Sequence, residues 1–167
     1  MTELSTNSIR LLDVKYGTSV DGPGLRTSIY CAGCEHHCPG CHNPQSWDVS
    51  AGQVYDINQL FEEIQKAEMN VTFTGGDPML FPEGFIRLAE LIKKNTDMTI
   101  WCYTGYKFES LMQHARRRAL AELCDVIVDG PYLASQRDLS LPFRGSRNQR
   151  IIDVPSSING RIVELIF

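Results

Sequence analysis

Three cysteines, Cys34, Cys38 and Cys41, sit together in the stretch CEHHCPGC at the spacing C-x3-C-x2-C. Thiols this close suit a shared metal centre, because thiolate sulfur binds zinc and iron–sulfur clusters well. A structural zinc site closes on four protein ligands. A [4Fe–4S] cube held at three corners leaves its fourth iron open, so that a small molecule can ligate it and receive an electron directly. A fourth thiol, Cys31, lies just upstream. With it the cysteines pair as C-x2-C and C-x2-C, which is the alternative zinc reading. Only three residues separate those pairs, far fewer than a zinc ribbon uses. Cys31 also falls inside a predicted strand, where its side chain can point into a sheet. These points favour a cluster on Cys34, Cys38 and Cys41, with His36 and His37 as surrounding groups rather than iron ligands.

The elements that must position this loop read as alternating strands and helices. TSIYCAG, running into the cysteines, predicts a strand. DINQLFEEIQKAE predicts a helix, with Ile57, Leu60, Phe61 and Ile64 on one face and Asp56 with Gln59 resembling a capping box. NVTFTGG predicts a second strand. PEGFIRLAELIKKN predicts a second helix, with Pro82 in its first turn and Phe85, Leu88, Ala89 and Ile92 on one face. MTIWCYTG is a third strand, KFESLMQHARRRALAELC is helical in two pieces, and DVIVDG is a fourth strand. A loop, SLPFRGSRNQ, precedes two apolar runs, RIIDV and RIVELIF, and residues 150–167 read as added strand.

Strand–helix alternation at this spacing means right-handed βαβ units and a mainly parallel sheet. A complete eight-unit barrel needs about 250 residues, more than the 167 present. The expected fold class is therefore α/β, with an open sheet or a partial, incomplete TIM-like barrel of βα units, and residues 1–167 as a single domain. Each predicted strand ends in small or polar residues: the cysteine loop, then TGGDP, YTGY and DGPY. In a parallel sheet these ends share one edge, where the sites of such folds lie. The four clusters are expected to converge on one pocket.

Hydrophobic residues make up 43% of the chain and charged residues 22%, an ordinary globular composition. A net charge of −4 argues against non-specific nucleic-acid binding. No apolar run approaches the ~20 residues that span a bilayer. The first residues lack the basic region and long apolar stretch of a signal peptide. The expectation is a cytoplasmic protein with neither nucleic acid nor membrane as partner. In reducing surroundings its six cysteines are ligands or buried thiols rather than disulfides. Cys102 and Cys124, among apolar residues, read as core. HARRRAL reads as a solvated helix face, and Trp47 and Trp101 as packing residues. Arg26 and Gly24 read as turn-formers or as shapers of the cavity below the cluster.

DGPGLRTSIYCAGC, CPGCHNPQSW, TGGDP, WCYTGY, VDGPY and RGSRNQ follow one another from about Val14 to about Gln149. In this order and spacing the chain resembles the radical S-adenosylmethionine (radical SAM) superfamily. Within it, the likeness is to the glycyl-radical-enzyme activases, in particular the activating proteins of the anaerobic (class III) ribonucleoside-triphosphate reductase. The resemblance implies one [4Fe–4S] cluster on three cysteines and S-adenosyl-L-methionine (SAM) chelated to the open iron by its methionyl amine and carboxylate. An electron from the cluster breaks the S–C5′ bond to give methionine and a 5′-deoxyadenosyl radical. That radical takes a hydrogen atom from a glycine of the partner reductase. No side chain is itself catalytic, and flavodoxin or ferredoxin supplies the electron.

By the same resemblance, Thr74, Gly75, Gly76 and Asp77 hold the methionyl end of SAM. Asp77 accepts from the ammonium. Many radical SAM proteins carry Glu there, so the shorter acid leaves more of the contact to backbone carbonyls. Gly40 stands where such proteins often set an aromatic ring against adenine, and His42, after Cys41, is the candidate to supply that ring here. Thr104 and Asp129 are candidates for the ribose or the carboxylate. A lysine that the pyruvate formate-lyase activator places two residues after the aspartate is Pro131 here, so that contact does not carry over. Arg144, Ser146, Arg147 and Asn148 suit the SAM carboxylate, a partner loop or closure of the C-terminal segment. Two other activities stay open: a radical SAM enzyme acting on a pterin-like small molecule, and a non-enzymatic zinc-binding module. An open side with no long lid favours a macromolecular substrate over a small one.

Overall fold

Alternating burial decides the first strand. In SIRLLDVKYGT, Ile9 and Leu11 are buried and their neighbours are not, the period of a half-covered strand. In the computed structural model, which describes residues 5–167, this stretch is β1 (Ser8–Thr18). The chain continues through β2 (Arg26–Cys31), β3 (Gln53–Asp56), α1 (Ile57–Ala67), β4 (Asn70–Gly75), α2 (Glu83–Asn95) and β5 (Ile100–Tyr103). There follow α3 (Phe108–Met112), α4 (Ala115–Leu123), β6 (Val126–Asp129), β7 (Arg150–Asp153) and α5 (Val154–Ser157). One seven-stranded sheet runs in the order β3-β1-β2-β4-β5-β6-β7. Its centre, β2-β4-β5-β6, is parallel. β1, β3 and β7 add on antiparallel.

The four expected parallel strands are present, with helices between them. Ile57, Leu60, Phe61 and Ile64 of α1 are buried, as are Phe85, Leu88, Ala89 and Ile92 of α2. The Asp56 carboxylate accepts from the Gln59 amide at 3.0 Å and caps α1. Pro82 is the cap residue before α2 rather than part of its first turn. The third helical segment breaks in two, with a His114 ring nitrogen capping α4. The sheet faces separate by alternation. Ile100 and Cys102 of β5 join the core beneath the helices, whereas Trp101 and Val128 form a second cluster with Phe143 packed on it. Full burial of side chains such as Leu11, Phe73 and Leu88 contributes about 1.5–3 kcal/mol each. Among the described residues, no helix is long and apolar enough to cross a membrane.

Three expectations need correction. β1 and β3 are additional strands on one edge. RIVELIF is not a strand: it makes a single bridge, Ile152 to Glu164, and leaves Ile166 and Phe167 exposed. Its apolar residues pack only in part, Ile162 against the main core and Leu165 and the Phe167 ring against the Trp101–Phe143 cluster. Arg26 and Gly24 do not shape the cavity. Arg26 is fully buried, donating to Thr72 Oγ1 and to the Val71 carbonyl, both at 2.8 Å, with its guanidinium 5.5 Å from the Trp101 ring centroid. Burial lowers its pKa to about 10.

Arg150 pins the sheet edge. It donates from Nε to Asp129 Oδ1 at 3.0 Å and from its terminal nitrogens to both Glu109 oxygens. Asp129, wholly buried, also accepts from the Phe108 amide at 2.8 Å. Removing one partner of a buried ion pair strands the other charge. Arg150→Met is expected to lower stability by about 3–5 kcal/mol, measured by urea unfolding. The Arg150 guanidinium also holds the Glu109 carboxyl down to about 2. The unfolded chain therefore takes up that proton first as pH falls. This pair's contribution is full above the ordinary 4.5 and fades toward pH 2. Glu109→Gln is expected to flatten stability against pH in that window, in acid titrations followed by circular dichroism.

Candidate functional site

The site begins where β2 ends. Cys34, Cys38 and Cys41 are partly exposed on the following loop. Cys31, the last residue of β2, is buried in the core. A single zinc ion needs four ligands within ~2.3 Å of one point, and Cys31 is turned away from the others' loop. Among the described residues, no three His, Cys, Asp or Glu side chains converge on such a point.

The loop is fastened at both ends. Gly33 donates to the Ser46 carbonyl at 2.7 Å, and the Asp77 amide donates to the Gly33 carbonyl at 2.8 Å. His37 stacks on Trp47, ring centroids 4.6 Å apart. Burial pushes the Cys34 thiol up to about 11, while the backbone amides of His36 and His37 at its sulfur pull the other way. The Asn43 amide donates to Cys41 Sγ at 3.4 Å. Thiols with amide donors aimed at sulfur, spread along one loop, fit an iron–sulfur cube, whose corner irons take one thiolate each.

The glycine turn after β4 lies directly beneath. The β2–β4 register sets Cys31 opposite Gly75. Gly75 has φ 98°, and a Cβ there would fall 2.4 Å from the Cys31 nitrogen. A Cβ on Gly76 would fall 2.3 Å from the Gly33 carbonyl oxygen. Both positions require glycine for this close approach.

Asp77 closes the turn, and its carboxylate is already occupied. Oδ2 accepts from His36 Nε2 at 2.7 Å, Thr104 Oγ1 at 3.0 Å and the Gly105 amide at 2.9 Å. Oδ1 accepts from the Met79 amide at 2.9 Å. The acid thus binds the cysteine loop, its own turn and the end of β5 together.

Two adjoining cavities run along this edge. The smaller, about 140 Å³, is lined by Cys34, Cys38, Thr74, Gly75, Gly76, Asp77 and Thr104, among others. The larger, about 680 Å³, is lined by Cys41, His42, Thr74 and Gly75 and extends to Leu12, Asp13 and Lys15 of β1 and to Tyr30 of β2. Three parallel strand ends and the cysteine loop do converge. Asp129 is not among the lining residues; its carboxylate is closed off by Arg150 on the far side of the β6 end.

Several residues that shape the site were not singled out by sequence. Tyr132 lines both cavities. A Cβ on Gly40 would meet its ring at 3.5 Å and one on Gly145 at 3.1 Å, and the His42 ring lies 5.6 Å away. Its signal was the aromatic residue in VDGPY. Gln149 orders the RGSRNQ loop, accepting from the Gly145 and Ser146 amides at 3.0 and 3.1 Å and donating to the Gly130 carbonyl at 3.2 Å. Asn148 donates to the Pro131 carbonyl at 2.7 Å, so this loop closes over the segment after β6. HARRRAL is not a wholly solvated face. Arg117 turns inward, donating to Met79 O at 3.0 Å and Tyr106 Oη at 2.9 Å. Tyr106 in turn donates to Glu35 in the cysteine loop.

Residues 20–152 match the family described as a 4Fe-4S single cluster domain. The anaerobic ribonucleoside-triphosphate reductase-activating protein of Haemophilus influenzae is 36% identical over 142 residues, 79% of this chain and 90% of that protein. The protein of the same name from Escherichia coli K12 is 35% identical over 141 residues, 78% of this chain and 89% of its own. That of Enterobacteria phage T4 is 35% identical over 140 residues, 79% and 86% respectively. With a family match across most of its length and relatives covered almost end to end, the chain belongs to the 4Fe-4S single cluster domain family and, within it, to the anaerobic ribonucleoside-triphosphate reductase-activating proteins.

Proposed function

We propose that this chain is a radical SAM activase that generates a glycyl radical on an anaerobic ribonucleoside-triphosphate reductase. The observation that carries the reading is the meeting of three loop cysteines with a glycine turn and two further strand ends around one edge. When bound, a [4Fe–4S] cluster and SAM supply reductive cleavage of the S–C5′ bond and so an oxidant able to take hydrogen from glycine; the organic chemistry is the cofactors' own.

The chain's residues hold and orient. Cys34, Cys38 and Cys41 are the proposed ligands. Backbone carbonyls and amides of Thr74, Gly75 and Gly76 take the methionyl end, since glycine lets them approach closely. With its carboxylate bound to four donors, Asp77 serves to fix that turn, and Thr104 serves with it. Gly40 turns the loop at φ 79°, where glycine is favoured, and His42 and Tyr132 form the aromatic side of the larger cavity, suited to a flat base.

The larger cavity opens toward β1 and the sheet does not close, which we read as an incomplete TIM-like barrel. That open side admits a glycine-bearing loop of a protein substrate. A small one-electron donor of the flavodoxin or ferredoxin kind, working in the reducing cytoplasm, supplies the electron.

Serine at Cys34, Cys38 or Cys41 is expected to abolish both cluster assembly and SAM cleavage. Serine at Cys31, Cys102 or Cys124 is expected to leave a brown, SAM-cleaving protein; iron, sulfide and 5′-deoxyadenosine assays distinguish these. A colourless Cys31→Ser protein refutes the ligand assignment. With the reductase added, the reading expects 5′-deoxyadenosine together with a glycyl-radical signal on the reductase. SAM cleavage with no such signal on the reductase contradicts it.

A further inference from the structure

His36 lines the same cavity as Cys34 and Cys38, yet the chemistry above gives it no task. Its Nε2 lies 2.7 Å from Asp77 Oδ2, the two side chains being 16% and 1% exposed. Its ring lies so close over Gly105 that a Cβ there would come within 2.5 Å of it. It stands edge-on to Tyr106 at 4.4 Å, and Tyr106 is covered by the Arg117 guanidinium at 3.8 Å. The next residue, His37, has φ 47°, a left-handed conformation uncommon outside glycine. His36 is bound to Asp77 and His37 stacks on Trp47. Both histidines lie in the backbone between Cys34 and Cys38, and their amides favour the Cys34 thiolate. Amide donors to a ligating sulfur favour the more negative, reduced form of a cluster and raise its potential.

We propose that His36 and Asp77 are positioning residues: their side-chain bond ties the cysteine loop to the glycine turn, aims two amides at Cys34 and so sets the cluster's reduction potential. The proposal rests on the three-cysteine [4Fe–4S] reading and deepens it. The bond spans 41 residues of sequence and is the one side-chain link from this loop to the acid that also holds the ends of β4 and β5. Glu35, bonded to Tyr106, fastens the loop on its outer side, and Asp77 on its inner side.

The test is an EPR-monitored redox titration of the full chain, anaerobically reconstituted and free of SAM. His36→Ala removes the donor. Gly105→Ala leaves every ligand and acid in place but drives the imidazole off its seat. Both are expected to keep wild-type iron and sulfide content and to titrate at a lower potential than wild type. His36→Gln, whose amide still reaches Asp77, is expected to recover most of that shift. Wild-type potentials in both alanine variants overturn the proposal, as does a His36→Gln protein that titrates with His36→Ala. Should His36→Ala take up no iron, uptake becomes the readout: recovery in His36→Gln supports the tether and failure to recover overturns it. A wild-type chain that assembles no cluster at all overturns the functional reading and this proposal with it, and is told apart because wild type is titrated first.

Discussion

The contact on which the rest depends is the seat of the glycine turn against the base of the cysteine loop. Parallel pairing of β2 with β4 brings the two chain segments side by side with Cys31 opposite Gly75. The Gly76 amide then donates to the Cys31 carbonyl and the Asp77 amide to the Gly33 carbonyl, both at 2.8 Å. Any Cβ at Gly75 or Gly76 would collide with backbone rather than with a movable side chain. This is a geometric condition with little slack. Once met, it delivers Asp77 under the loop, and Asp77 collects the strand end of β5 through Thr104 and Gly105.

Much of this was legible in the chain. The helices α1 and α2 announce themselves by apolar spacing and are buried on the faces that spacing marks. The four parallel strands follow because each ends abruptly in small or polar residues, and parallel order alone then puts those ends on one edge. What stayed hidden has physical reasons. β1 buries only Ile9 and Leu11 among its eleven residues, and β3 is four residues long and mostly exposed; both take their places from pairing, not from composition. RIVELIF has the composition of a strand, but only Ile162 and Leu165 are half-buried and it pairs through a single bridge. Asp129 reads as a candidate for the ribose or the carboxylate of SAM, but antiparallel pairing of β6 with β7 sets Arg150 directly opposite, and no local pattern reports a partner 21 residues away. Asp77 is the same lesson at the site: sequence shows an acceptor, and only the fold shows its lone pairs already taken.

The site therefore divides its labour in a way the residue types do not announce. Its two conspicuous acids, Asp77 and Asp129, bind parts of the protein to one another. Around the cysteines the surfaces left facing the cavities are glycine backbone, thiols, Thr74 and the rings of His42, Tyr103 and Tyr132, while Asp13, Lys15 and Asp21 line the larger cavity toward β1. Such a lining offers shape, backbone polarity and stacking beside the cysteines, and charged side chains only toward β1. On the proposed reading this lining takes a zwitterionic cofactor with a flat base.

The most direct measurement of the central claim is the EPR spectrum of anaerobically reconstituted, reduced protein recorded before and after adding SAM. If three thiolates anchor the cube and the remaining iron receives the cofactor, a [4Fe–4S]⁺ signal is present at the outset and its g-values change when SAM is added. A spectrum indifferent to SAM, or protein that carries one zinc per chain and no inorganic sulfide, contradicts the account.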